Sequence, residues 1–364
     1  MKIINIVGAR PNLMKIAPIL EAMKSSPFIE PILLHTGQHY DDRMSGAFFR
    51  ELSIPEPDIY LEVGSASHAK QVAKIMERFD DVCDALTPDA ILVVGDVNST
   101  LACSLVAAKK DIYVIHVEAG IRSFDKTMPE EINRILTDAV SDLLLTPTND
   151  AVQNLLNEGH SEDKIRLVGN IMIDTLKKSQ AMINASRILE NLGIVKHNYV
   201  AMTMHRPSNV DSLDAFRNIL SAIAHIQTKI KVVFPIHPRT RKMMSEFGLQ
   251  DYFDSLKNII ITEPLGYFDF GKLISNAKFV ITDSGGIQEE TTVYGVPCIT
   301  IRNSTERPVT VTEGTNELAG NDTALIIELA ERILAGNWKK GKIPELWDGL
   351  TARRIVAAIE EKLT

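Results

Sequence analysis

The stretch KFVITDSGGIQEETTVYGVPCITIR, residues 278–302, reads as a complete strand–helix–strand unit. The apolar run KFVIT ends at Asp283-Ser284-Gly285-Gly286, the segment GIQEETTVYG follows as a helix, and a second apolar run, PCITIR, comes after it. This is the βαβ rhythm of a parallel sheet covered on both faces. Outward from this unit the rhythm continues. YVAMTMH, KVVFPIH and NIIITEP precede it as strands, separated by helices such as DSLDAFRNILSAIAHIQ and FDFGKLISNA. In the first half KIINIVG, PILLHTG, AILVVGD, IYVIHVE, DLLLTPT and IRLVGN alternate with PNLMKIAPILEAMK, HAKQVAKIMERFDDVCDAL and STLACSLVAAKK, whose apolar residues recur at spacings of three and four. The reading is an α/β protein of two Rossmann-like domains, residues 1–172 and 173–349, with a last helix over 350–364 that crosses back to the first.

Composition agrees and narrows the function. A chain of 364 residues is too long for one ordinary core and suits two domains of roughly 150 to 200 residues each. No run approaches the roughly 18 to 20 apolar residues of a membrane span, and MKIINIVGARPN is too quickly charged for a secretory signal, so a cytoplasmic protein is expected. Cys83, Cys103 and Cys298 sit in apolar runs without a CxxC spacing and read as reduced core thiols. A net charge of −8 argues against a nucleic-acid surface. No His/Cys/Asp grouping has zinc spacing, so no metal is expected. Neither a G-x-G-x-x-G nor a GKS/GKT loop is present, so no tightly bound NAD or triphosphate is expected.

In open α/β sheets ligands bind beyond the carboxyl ends of the strands, so the residues just past each strand are the candidates. The first domain offers Arg10, Lys15, His39 and Asp96, then Glu118, Arg122, Glu130, Glu131 and Arg134 in HVEAGIRSFDKTMPEEINR, residues 116–134. The second offers His205, Arg206, His237, Arg239, Glu263, Asp283, Ser284, Gly285, Gly286 and Glu290. A carboxylate-rich half thus faces a His/Arg/Ser/Gly-rich half, and a cleft between the domains is the expected site. Ser284, Gly285 and Gly286 stand where a helix begins, so free backbone N–H groups and the helix dipole offer an anion site, with a tight structural turn as the alternative. Asp96, Glu118 and Glu130 suit proton chemistry, or else simple ion pairing with Arg122 or Arg134. His205 and His237 suit ligand contact, with a satisfied turn histidine as the alternative; His68, His160, His197 and His225 read as bland.

Together the motifs resemble the non-hydrolysing UDP-N-acetylglucosamine 2-epimerase family. GARPNLMKIAP, TGQHYDDRM, VVGDVNSTLA, HVEAGIRS, MPEEINRILTD, PTNDAVQNLLNEG, VGNIMIDTL, MHRPSNV, PIHPRTR, EPLGY, ITDSGGIQEET, YGVPCITIR and TERP occur in the family's order along nearly the whole chain. The resemblance implies a GT-B-like fold, two Rossmann-like domains around a UDP-sugar cleft. It implies elimination of UDP from UDP-GlcNAc to give 2-acetamidoglucal and re-addition with the opposite configuration at C2, supplying ManNAc-type sugars for surface polysaccharide. In that scheme Asp96, Glu118 and Glu130 are the acid/base set, with Arg134 and Lys15 orienting or neutralising them. His205, Arg10, Ser284, Gly285 and Gly286 hold the diphosphate, with His237 and Arg307 nearby; Glu290 binds the ribose and Phe270 lies by the uracil. The resemblance also implies a homodimer. Relatives activated by their own substrate carry Gln-His-Arg-(Glu/Gln) where this chain has Gln38-His39-Tyr40-Asp41, so Gln38 and His39 are candidates for an allosteric site that the next two residues put in question. TGQHYDDRMSGAFF and GIRSFDKTMPEEINRILTDAVSD also resemble the branch acting on UDP-2,3-diacetamido-uronic acids. A hydrolysing relative, a GT-B glycosyltransferase and a non-catalytic sensor are the other readings of the same fold.

Overall fold

A computed structural model describes residues 1–37 and 55–364, the side chains of Arg10 and Pro11 excepted. The chain divides into two compact units, Met1–Lys178 with Glu345–Thr364, and Ser179–Pro344.

Among the described residues, the first unit holds a parallel sheet of β1 (Lys2–Val7), β2 (Glu30–His35), β3 (Ile59–Tyr60), β4 (Ala90–Val94), β5 (Tyr113–Val117), β6 (Leu143–Thr146) and β7 (Ile165–Leu167). Their order is β3-β2-β1-β4-β5-β6-β7. The strands are short and almost wholly apolar because helices cover both faces; all five residues of β4 are buried. Ile4, Ile6, Ile91 and Val93 pack on Ile75, Phe79 and Cys83 of the helix His68–Leu86 and on Ala102, Cys103 and Val106 of the helix Asn98–Lys109. All three cysteines are free and buried. The helix Thr351–Leu363 begins on the buried carboxylate of Asp174, which accepts the N–H groups of Thr351 at 3.1 Å and Ala352 at 2.8 Å. That carboxylate serves the first-turn donors as a side-chain cap.

The second unit has β8 (Tyr199–Met202), β9 (Lys231–Pro235), β10 (Ile259–Thr262), β11 (Phe279–Thr282), β12 (Cys298–Thr300) and β13 (Asn316–Leu318), again all parallel, in the order β10-β9-β8-β11-β12-β13. Its main core joins Val200, Val232, Phe234 and Ile281 to Phe216, Ile219 and Ile223 of the helix Leu213–Ile226. Both sheets reverse their strand order once, between β1 and β4 and between β8 and β11. Neighbouring crossovers leave in opposite directions there, which opens a crevice at the carboxyl ends. Two strands lie outside the expected set, β3 and β13. β3 is a two-residue edge strand with an exposed Tyr60, and β13 reads Asn-Glu-Leu, so neither carries an apolar run.

Candidate functional site

At the first reversal point the chain turns sharply out of β1. Gly8 has no room for a side chain, since a Cβ there would stand 2.0 Å from Ser99 Oγ. Asn12 follows. Its Oδ1 accepts the Ala9 N–H at 3.0 Å and its Nδ2 donates to the Val94 carbonyl at 2.8 Å, joining the ends of β1 and β4. One turn on, Lys15 Nζ lies 2.5 Å from Glu118 Oε2, both residues buried. Gly95, at φ +73°, leaves the space for this pair; a Cβ there would meet Lys15 Nζ at 3.2 Å. Glu118 itself sits at φ +72°. A non-glycine residue in that region costs roughly 1–3 kcal/mol and is typical of sites whose geometry is imposed by their surroundings.

The helix Pro129–Val140 is inverted relative to an ordinary amphipathic helix. Glu131, Asn133, Arg134, Thr137 and Asp138 are buried, while Ile132 and Leu136 are 47% and 43% exposed. Its polar face points at the strand ends. Arg134 Nε donates to Asp96 Oδ2 at 2.9 Å, Arg134 Nη1 to Glu131 Oε2 at 2.5 Å, and Asn133 Nδ2 to the Asp96 carbonyl at 2.8 Å. Glu131 also accepts the N–H groups of Ser123 and Phe124 at 2.9 and 2.8 Å, closing the loop after Glu118. Glu130, half-buried in the first turn, makes no hydrogen bond or ion pair with the described residues.

In the second unit Asp283, fully buried at the end of β11, organises the turn after β8. Its Oδ2 accepts the backbone N–H groups of His205 and Arg206 at 2.9 and 2.8 Å and the Asn209 amide at 3.2 Å; the His205 ring Nδ1 lies 2.8 Å from Oδ1. Burial pushes the Asp283 carboxyl up, but these donors outweigh it and hold it below the usual range. His205 thereby keeps Nδ1 toward Asp283 and Nε2 away from it, 40% exposed. The His237 ring is 5.6 Å from it, and burial, followed by the charge of His205, lowers His237.

Ser284 occupies the N-cap position of the helix Gly285–Tyr294, and its side chain makes no capping hydrogen bond. A Cβ on Gly285 would stand 2.8 Å from Glu306 Oε1, and Glu306 cannot yield easily, because Arg302 Nη2 lies 2.7 Å and Arg206 Nη2 3.3 Å from its oxygens. A Cβ on Gly286 would meet nothing within 4 Å. Arg307 Nε is 2.5 Å from Glu289 Oε1. Phe270 is half-buried against the core of Leu273 and Val280. Glu290 is 5% exposed; burial first, then the charge of Glu289, push it up to about 8 against a smaller opposite pull from Tyr267.

That value sets a pH dependence. An acid whose folded value exceeds its unfolded one is protonated in the fold where the unfolded chain is ionised, so stability falls as pH rises from 4.5 to about 8 and then levels off. Glu290→Gln, which mimics the neutral acid, removes that loss. Roughly 2–5 kcal/mol is recovered and the melting temperature at pH 9 rises by at least about 4 °C, with little change at pH 5. Melting curves at both pH values check this; an equal effect at each contradicts it.

A family model described as UDP-N-acetylglucosamine 2-epimerase matches residues 21–360. The chain belongs to that family. Among its members, a UDP-N-acetylglucosamine 2-epimerase of Methanocaldococcus jannaschii is 42% identical, the alignment covering 98% of each chain. The crystal structure of the M. jannaschii UDP-GlcNAc 2-epimerase in complex with UDP-GlcNAc and UDP matches with a TM-score of 0.89 at 41% identity, over 99% of this chain and 100% of that one. A UDP-2,3-diacetamido-2,3-dideoxy-D-glucuronate 2-epimerase of Pseudomonas aeruginosa is 39% identical over 92% of each. The fold class is the GT-B-like one of these epimerases, two α/β units with parallel sheets. Of the residues expected in the site, Lys15 with Glu118 and Arg134 with Asp96 form two ion pairs at one reversal point, and His205, His237, Ser284, Gly285 and Gly286 stand about the other. Gln38, His39 and the side chain of Arg10 lie outside the described residues. His116, Asp138 and Asn133 are absent from the residues expected from sequence; only Asn133 has a signal there, its place beside Arg134 in INRILTD.

Proposed function

We propose that the protein interconverts UDP-N-acetylglucosamine and UDP-N-acetylmannosamine by eliminating UDP to 2-acetamidoglucal and adding it back with inversion at C2. The observation that carries this reading is the division of labour between the reversal points. One gathers carboxylates fixed by buried cations, the other an open helix N-terminus beside two histidines. The C2 proton is not acidic, because no carbonyl adjoins it, so a base must act while the departing diphosphate is stabilised. Asp96, Glu118 and Glu130 form the acid/base set. Arg134 and Lys15 hold the first two in place by ion pairs, and Glu130, unpaired among the described residues, exchanges its proton with solvent. His205, His237, Arg10, Arg307 and the N–H groups after Ser284 receive the diphosphate. Glu290 takes the ribose, and Phe270 flanks the uracil.

Gly286→Ala isolates the ligand's part. The position is open, and alanine favours a helix by about 1 kcal/mol over glycine, so the fold is expected to be unharmed or stabilised. A methyl group there obstructs the diphosphate's approach to the backbone, and UDP affinity measured by calorimetry is expected to fall about tenfold or more. Unchanged affinity contradicts the placement.

A second substrate has a specific observation behind it, the 39% identity to the diacetamido-glucuronate 2-epimerase. With both UDP-sugars supplied in equal amounts, conversion of UDP-GlcNAc is the expected result; exclusive conversion of the diacetamido-uronate assigns the other branch.

We place the protein in the cytoplasm, which suits its three free buried thiols. No helix among the described residues is long and apolar enough to cross a membrane. We also propose a homodimer. From Glu131 onward the exposed positions of the inverted helix, Ile132, Leu136 and Ala139, carry no charge, so a second copy covers them without burying an ion. Light scattering tests it: a dimer is expected, and a monomer at micromolar concentration contradicts it.

A further inference from the structure

Behind the carboxylates lies a buried ion group that the proposed chemistry does not use. His116, on β5, is wholly buried; its Nδ1 is 2.6 Å from Asp138 Oδ1 and its Nε2 2.9 Å from the Gly95 carbonyl. Both partners are acceptors, so each ring nitrogen faces a group to which it can donate. Asp138 stays a carboxylate, because its other oxygen accepts the Gly120 N–H at 3.0 Å and lies 2.7 Å from Arg122 Nη2. Burial pushes it up, but His116 and Arg122 hold it below the usual range. Arg122 is tied in turn to Glu158, and Lys15 and Glu118 stand close to Gly95.

The placement of the Nε2 bond matters. The Gly95 carbonyl shares one rigid peptide plane with the N–H of Asp96, so a bond to that oxygen fixes the direction in which the chain enters Asp96. Gly95 needs such fixing, because glycine at φ +73° is free to leave that conformation. Meanwhile Asp138 belongs to the same helix as Arg134, which holds the Asp96 side chain. The ring therefore anchors the Asp96 turn to the helix that supplies its arginine.

Resting on the epimerase reading above, we propose that His116 is a positioning residue, whose Nε2–H to the Gly95 carbonyl sets Asp96 for proton transfer. A misplacement of about 1 Å at a reacting group costs about a hundredfold in rate. Two substitutions separate the ring's two bonds. An asparagine amide reaches the Nδ1 position and a glutamine amide the Nε2 position, so His116→Asn keeps the Asp138 bond and His116→Gln the Gly95 bond. The expected result is a fall in kcat of about a hundredfold for His116→Asn and of at most about fivefold for His116→Gln, with KM and UDP affinity within about twofold of the parent in both. Should His116→Asn fail to fold, Asp138→Asn reads the same device. It releases the ring and is expected to lower kcat about tenfold at unchanged UDP affinity. Equal kcat for the two folded His116 variants, a loss confined to KM or UDP affinity, or parent-like kcat in Asp138→Asn overturns the proposal. The parent protein, run beside them on UDP-GlcNAc, keeps the two readings apart. Its failure to turn over sinks the functional reading, whereas a turning-over parent leaves the variants to decide this one.

Discussion

Glu118→Gln is expected to lower kcat by roughly 10²–10⁴-fold, the contribution of a positioned acid or base, while leaving UDP affinity within about twofold. The substitution keeps the shape of the side chain but removes the charge facing Lys15 Nζ at 2.5 Å in a buried site. The complementary variant, Lys15→Met, leaves the carboxylate buried without its cation. Breaking a buried pair from one side costs about 3–5 kcal/mol, so this variant is expected to lose stability as well as rate. The double variant separates the two effects. With both charges gone the stability penalty is expected to be largely recovered, and the activity is not. Denaturation curves and initial rates on the three proteins check this; a double variant as active as Lys15→Met contradicts a chemical role for Glu118.

The second large effect is expected from Asp283→Ala. One carboxylate fixes two backbone N–H groups, the Asn209 amide and the His205 ring, so its loss frees the whole turn after β8. Stability is expected to fall by about 3–5 kcal/mol, and UDP affinity by more than about tenfold as His205 loses its orientation. The pH sign follows from the depressed value of Asp283. Its contribution is present above the ordinary carboxylate range and is lost as pH falls below it. The parent is therefore expected to lose stability in acid more steeply than Asp283→Asn, as denaturation at pH 7 and pH 3 will reveal. An alanine variant with parent-like UDP affinity contradicts the organising role.

Parallel strands buried on both faces are apolar runs, and the first ionisable residue after such a run stands at a carboxyl end. That is why Asp96, Glu118, His205 and Asp283 are legible in the amino-acid sequence alone. The orientation of the helix Pro129–Val140 is not, for a physical reason. In PEEINRILTDAV the apolar residues Ile132, Ile135 and Leu136 have the spacing of a core stripe, yet Asp96, Ser123 and His116 recruit the polar face inward and turn that stripe out. Periodicity locates a stripe and does not say which side is covered. The His116–Asp138 bond joins residues 22 positions apart on different elements, with no local pattern to announce it. Gly285 and Gly286 are also indistinguishable in sequence. Only the packing of Glu306 makes the first a structural requirement, while a Cβ on the second would meet nothing within 4 Å.

The central claim is that C2 is deprotonated and UDP released and re-added on this protein, with a solvent-exchangeable carboxylate as the base. Incubating the purified protein with UDP-GlcNAc in deuterated water and following the proton NMR spectrum to equilibrium tests it most directly. The account predicts UDP-ManNAc beside UDP-GlcNAc, with the C2 proton replaced by deuterium in both. Free ManNAc with UDP, or epimerisation that retains the C2 proton, contradicts it.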